Sequence, residues 1–323
     1  MIARGTFRYA LFISGLASIF STSQVSAQTY PSQNVTVIVA FAAGGIADAL
    51  GRLVGQKLSE RLNQSVVIEN RGGAGGNLAA RAVATAAPDG YTLLATTTAL
   101  AVNDTASKKR GYNTEDLRPV AIVAISPDVL AIHPSNPAKD LKEFIANGRK
   151  ASFTYASAGV GTAPHIGAEY LFKEVAKAQA VHVPFTGGAP AVTAALGNHV
   201  NALVLTLPTV TPHIVEGRLR GIGVASDKRV PAVKDVPTYR EMGFDVLSGS
   251  WVGFFAPAKT PDAIILKLNN EINALMKAPD VQAKLAQIGF DPIFKDLPET
   301  NAYFKSEIAN WGKMVRAAGV TID

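Results

Sequence analysis

The chain has 323 residues, a formal net charge of +6, 17% charged residues and no cysteine. These values exclude disulfide frameworks, cysteine–metal sites and cysteine nucleophiles, and they speak for packed α/β structure rather than disorder. About 300 residues of folded chain suggest two domains rather than one.

Residues 1–27 read as a secretory signal peptide. Arg4 and Arg8 give a basic start, 9–20 is an apolar run too short to span a bilayer, and Val25-Ser26-Ala27 is a small-residue cleavage site before Gln28. Ser14, Gly15 and Ser18 interrupt the run and argue against a membrane anchor, and the lack of cysteine excludes lipoprotein attachment. The expected product is exported, periplasmic and not membrane-spanning. Removing Arg4 and Arg8 lowers the charge from +6 to +4. The remaining cations are scattered, and Lys108-Lys109-Arg110 reads as a solvated loop, so no nucleic-acid partner is expected.

The organising stretch is 35–62. Residues 35–41 (VTVIVAF) are apolar almost throughout, as in a strand buried on both faces. Ala42-Ala43-Gly44-Gly45 turns the chain, and from Ile46 the apolar period becomes 3.6. Such a βα turn leaves backbone amides free at a helix start, where the helix dipole is positive and anions bind without Lys or Arg. By itself it is equally an ordinary packing turn. Asp48, in the first helical turn, reads as an acid that satisfies the dipole and the loop amides.

A strand at 65–70, a glycine loop at 71–76, a helix at 77–87 and a strand at 91–95 follow, as in a doubly wound sheet. The loop GGAGGN lacks the dinucleotide spacing, and no cofactor is expected. Strands at 117–125 and 129–133 are separated at Ser126-Pro127. A helix at 141–147 and a strand at 152–156 lead to a second glycine turn, 157–162, and a helix at 163–176. Next come a strand at 181–183, the turn 184–188, helix 189–196, strand 200–206, helix 208–216 and strand 219–225. After the proline-rich stretch 231–237, a strand at 251–256 and helices at 261–276, 279–287 and 298–318 close the chain. Strand, glycine turn and helix thus occur twice, which suggests two lobes facing one cleft.

The five histidines include no i, i+4 pair, so no metal site is expected. Ser157 is not in a nucleophile elbow, since Tyr155 stands where glycine belongs; a secreted serine hydrolase using Ser157 and His165 is the competing reading. The loops at 41–48, 96–99, 157–163 and 185–189 hold one acid and no base. They offer amides, the hydroxyls of Thr97, Thr98, Ser157, Thr162 and Thr186, and the apolar Phe41, Val160 and Phe185. That inventory binds but has no nucleophile pair or ligand set for catalysis.

The segments AFAAGGIAD, VVIENRGGAGGN, APDGYTLL, YASAGVGTAPH, VHVPFTGGAPAV, LPTVTPHI, DVPTYREMGF and WVGFFAPAKTP resemble, in order over nearly all of 30–320, the Bug-type solute receptors of tripartite tricarboxylate transport systems. The resemblance implies a type II periplasmic binding-protein fold: two α/β lobes joined by two crossing strands, with 28–128 and 252–323 in the first domain and 129–251 in the second. It implies a receptor that captures a small carboxylate and delivers it to integral-membrane transporter subunits; with the loop inventory, the expected ligand is a dicarboxylate or an aromatic acid, and the expected state is a monomer. By position, Phe41, Ala43, Gly44 and Asp48 match the family's first ligand loop. Ser157, Gly161, Thr162 and His165 match the second, Phe185, Thr186 and Gly187 the third, and Thr97, Thr98 and Thr206 complete the expected site. Ala43 replaces a proline common in the family. Asn201 and Leu205 stand where many members carry acids, which disfavours a ligand with an amino group.

Overall fold

The computed structural model describes residues 1–2 and 30–322. The expected signal peptide and its cleavage site therefore lie almost wholly outside the described residues. Among those described, no helix is long and apolar enough to cross a membrane.

The elements follow the chain as β1 (Val35–Val39), α1 (Ile46–Leu62), β2 (Val66–Asn70), α2 (Asn77–Ala84), β3 (Thr92–Thr97), α3 (Ala99–Ala106) and β4 (Leu117–Ile132). Then come α4 (Leu141–Lys150), β5 (Phe153–Ser157), α5 (Ala163–Glu169), β6 (Ala180–Pro184), α6 (Gly188–Leu196), β7 (Ala202–Thr206), α7 (Leu207–Val215) and β8 (Arg220–Val224). The chain ends with β9 (Gly249–Pro257), α8 (Asp262–Met276), α9 (Pro279–Ile288), β10 (Asp291–Pro292) and α10 (Leu297–Ala318).

One lobe orders its strands β2-β1-β3-β9-β4 and the other β6-β5-β7-β4, with β8 also on β4. Strands β1, β2 and β3 are mutually parallel, as are β5, β6 and β7, because each is followed by a helix that returns the chain to the starting edge. Antiparallel partners enter at β4 and β9, for example Leu94 opposite Phe255 and Val129 opposite Leu205.

The 16-residue β4 belongs to both sheets. Up to Pro127 it pairs with β9, and from Asp128 it pairs with β7 and β8. The sequence reading placed a break at Ser126-Pro127, but the strand runs through. Proline tolerates extended dihedrals and lacks only the ladder donor, so here it marks the change of sheet instead of an end. Two further differences have local causes. Helix α3 was not expected, because Ala99–Ala106 is short and its apolar and polar residues come in two blocks, ALAV then NDT, with no helical period. The helix expected over 163–176 is α-helical only to Glu169 and continues as a wider π turn over Tyr170–Val175.

Val37, Val39, Leu93, Ala95, Phe254 and Phe255, all under 1% exposed, anchor the core of the first lobe, which also takes in side chains of α8 and α10. The second lobe has an apolar cluster on each face of its sheet, one around Tyr155, Phe172 and Leu130, the other around Leu203, Val210 and Val129. Ala163 and Ile166 of α5 pack with the first lobe's core, so α5 bridges the two lobes from its first turn.

Candidate functional site

Four helix starts meet where the lobes touch. Gly44 (φ +83°) turns the chain after β1, and α1 begins at Ile46 with Gly45 as its cap and no side chain taking the free amides. Helix α5 begins after Thr162, with Pro164 in its first turn and again no side-chain cap. Helices α6 and α7 begin after Gly187 and Thr206, equally uncapped by side chains. All four starts border one small cavity, lined by Phe41, Gly45, Ile46, Ala47, Thr97, Ala158, Thr162, Pro164, Gly188, Leu205, Thr206, Thr209 and Ser250. No Lys, Arg, Asp, Glu or His is on that wall. Uncompensated amides at the positive ends of helices, hydroxyls and apolar surface make a setting suited to an anion with an apolar body.

The lobes are in contact around the cavity. Ala42 N–H donates to Thr186 O at 3.2 Å, a main-chain bond between the loop after β1 and the loop after β6. Gly187 lies so close to Ala42 that a Cβ on it would stand 3.2 Å from the Ala42 nitrogen. A second, more open cavity lies alongside, lined by Phe41, Gly73–Gly76, Ala158–Val160, Phe185, Thr186, Thr321 and Ile322 among others. Phe41 and Ala158 belong to both walls and separate the inner space from the outer.

Of the residues singled out from the sequence, Phe41, Thr97, Thr162 and Thr206 are on the inner wall, and Phe185 and Thr186 are on the outer one. Ala43 and Gly44 are exposed at the rim. The carboxylate of Asp48 faces its own loop: it accepts from Gly44 N–H at 2.9 Å, Arg52 Nε at 2.9 Å and Asn70 Nδ2 at 2.9 Å. Although burial opposes the charge, Arg52, Gly44 and Asn70 hold the Asp48 carboxyl below the usual carboxylate range. Thr98 is fully buried and accepts from Trp251 N–H at 2.9 Å, fastening β9 to β3 away from the cavity. Gly161 N–H donates to His165 Nδ1 at 3.2 Å, so His165 braces the second loop from beneath.

Ser157 is also beneath the wall. Its hydroxyl is fully buried and lies 2.7 Å from Nε2 of His182, not from His165. His182 stacks on His165 with ring centroids 4.1 Å apart and on Tyr155 at 4.9 Å. Tyr155 in turn donates to Glu169 Oε1 at 2.5 Å. Burial pushes His165 down to about 4 and His182 to about 3, the latter aided by repulsion from His165, so both rings are neutral at pH 7. The arrangement is a packed support under the second glycine turn.

Sequence reasoning missed Thr209, Ser250 and Asp128. The first two reach the wall from α7 and β9, and Asp128 lies behind it, hydrogen-bonded to Thr206. None carries a local signal: Asp128 and Ser250 depend on strand pairing between distant segments, and Thr209 on how α7 is set against the cavity. The amides of Ile46 and Gly188 are different: the glycine turns before α1 and α6 already pointed to them.

A sequence model described as the tripartite tricarboxylate transporter family receptor matches residues 50–320. The chain belongs to this family. It is 33% identical to BugT of Bordetella pertussis over 313 residues, 95% of this chain and 96% of that one. Among solved structures, one from R. palustris with adipate has 31% identity and a TM-score of 0.87, covering 90% of this chain and 99% of the other. MatC from Rhodopseudomonas palustris with bound malate has 32% identity and a TM-score of 0.82, covering 88% and 100%. The fold is that of periplasmic binding proteins of this type, and the family is one of solute-binding receptors, not of enzymes. Among the described residues, no three histidine or acidic side chains come together to hold a metal ion.

Proposed function

We propose that this receptor, exported after cleavage at Ala27, captures a small carboxylate between its lobes and hands it to membrane subunits of a tripartite transporter. The observation that carries this reading is the ring of four uncapped helix starts around one cavity that holds no basic side chain. Relatives of about 30% identity hold adipate and malate, a linear dicarboxylate and a hydroxy dicarboxylate, and support the same ligand class here.

Each helix terminus contributes about 0.3–1 kcal/mol to an exposed anion and up to ~2 kcal/mol to a partly buried one. Apolar contact must therefore supply much of the affinity, and Phe41, Ile46 and Leu205 are on the wall to supply it. Leu205 offers no charge to an ammonium group, so the reading favours a carboxylic acid without an amino group. Calorimetry with succinate against aspartate tests it, after a thermal-shift screen of aliphatic and aromatic carboxylates. Succinate should bind more tightly, and tighter aspartate binding would refute the assignment. Leu205→Asp should weaken a dicarboxylate by at least tenfold, since it sets a like charge in the cavity at a cost above about 1.4 kcal/mol.

A further inference from the structure

Asp128 stands where β4 leaves one sheet for the other, and it is 1% exposed. Its main chain ties the crossing together: the N–H donates to Ser248 O at 2.9 Å and the carbonyl accepts from Ala225 N–H at 2.8 Å. Its side chain accepts from two hydroxyls, Ser248 Oγ to Oδ2 at 2.5 Å and Thr206 Oγ1 to Oδ1 at 3.0 Å. Thr206 Oγ1 also lies 2.9 Å from Ser250 Oγ. Thr206 and Ser250 are on the wall of the inner cavity and Asp128 is not. A line of carboxyl, hydroxyl and hydroxyl thus leads from a buried acid to the ligand space.

A hydroxyl has one proton to give, so the direction of this line is decided at its buried end. With Asp128 ionised, Thr206 must give its proton to Oδ1. It then accepts from Ser250, and Ser250 Oγ offers the cavity lone pairs only. With a proton on Oδ1, the line reverses. Asp128 donates to Thr206, Thr206 donates to Ser250, and the Ser250 hydroxyl proton is free for a ligand. A carboxylate ligand accepts only, so it fits the second arrangement and is repelled by the first.

We propose that Asp128 is a positioning residue that acts through Thr206 to decide whether Ser250 offers the ligand a donor or an acceptor, and that capture of a carboxylate draws a proton onto Asp128. This rests on the carboxylate reading of the cleft. The groups packed against the acid are consistent with it. Ser248 and Thr206 supply hydroxyls, and Gly167 of α5 presents only backbone, since a Cβ there would stand 2.2 Å from Ser248 Oγ. The Tyr239 phenol is near enough to feel the charge and is held neutral by burial and by Asp128 itself; its buried hydroxyl has no hydrogen-bond partner. Burial raises the Asp128 carboxyl to about 6 against the pull of the two hydroxyls, so its proton is exchangeable near neutrality.

The test is calorimetry of succinate, malate and adipate between about pH 7 and 8, in pairs of buffers with different ionisation enthalpies. The second carboxyl of these acids titrates above the first, at about pH 5–6, so the comparison is read from about pH 7 upward, where the ligands stay dianionic. The wild-type protein should take up as much as one proton per carboxylate bound, and its affinity should fall toward tenfold per pH unit as pH rises. Asp128→Asn should abolish both effects. Ser250→Ala should do the same while leaving every contact of the Asp128 carboxyl in place, so it answers the question even where Asp128→Asn does not fold. Absence of proton uptake in the wild type, or unchanged uptake in Ser250→Ala, overturns the proposal while the carboxylate reading stands. Failure of every carboxylate to bind at any pH overturns both.

Discussion

At the scale of single residues, Gly161 shows how one hydrogen atom can matter to closure. Its φ is +79°, a region where a side chain costs about 1–2 kcal/mol. A Cβ there would also stand 2.3 Å from Asn103 Oδ1 and 2.3 Å from Ile322 Cδ1, both from the other lobe. Asn103 cannot yield easily, because it is buried and its Nδ2 is committed to Gly75 O and Asn77 Oδ1. The two penalties separate by experiment. Backbone strain acts whether the lobes are open or closed, and the clash acts only when they meet. Gly161→Ala should therefore lower unfolding stability by about 1–2 kcal/mol and, beyond that, weaken ligand binding tenfold or more, in line with overpacking costs of about 1–3 kcal/mol. Denaturant melts paired with calorimetry check this; an unchanged Kd would show that the loops do not need this approach to bind.

At the scale of elements, β5, β6 and α5 are locked by the stack of Tyr155, His182 and His165 beneath the second glycine turn. Both histidines have folded-state values depressed by burial, to about 3 and about 4, against about 6.5 in an unfolded chain. A depressed histidine means that the unfolded chain binds protons first. Stability is whole above about pH 6.5 and is lost as pH falls from there toward 4, at up to about 1.4 kcal/mol per pH unit for each ring. His182→Gln should reduce that acid slope by about one proton. Denaturation midpoints followed from pH 7 to pH 4.5 provide the measurement, and an identical slope in the variant would mean that His182 is charged in the native protein.

At the scale of the whole molecule, two sheets share β4, and the helix starts that edge the cavity are divided between them. Only with the lobes together can α1 from one side and α5, α6 and α7 from the other approach the same anion, so a ligand that spans them selects the closed state. Closure brings main chain onto main chain, as where Ala42 N–H donates to Thr186 O. Small-angle scattering should show compaction on adding a binding carboxylate. A radius of gyration unchanged at saturation would count against ligand-driven closure.

The division between what was legible in the sequence and what was not follows the range of the interactions. Local rules sufficed for the βα units: the apolar run 35–41, the glycine pair after it and the 3.6 period from Ile46 are effects of neighbouring residues, and α1 and β1 lie where those rules put them. The resemblance to a receptor family was legible for the same reason, because its motifs are those turns. The absence of Lys and Arg from the loops at 41–48, 96–99, 157–163 and 185–189 was visible too, and it is why the proposed reading assigns a ligand's charge to backbone amides. Tertiary structure alone decided what each polar side chain does. Asp48 and Ser157 sit in the loops that sequence points to, yet one closes its own turn and the other pairs with His182 from a different strand. Ser250 and Asp128 lie just outside the strands read from the sequence at 251–256 and 129–133, and they acquire a part only because β4, β7 and β9 are brought side by side. A turn is specified by residues a few positions apart. The polarity of a buried hydroxyl depends on partners 44 and 78 residues away, which no local pattern encodes.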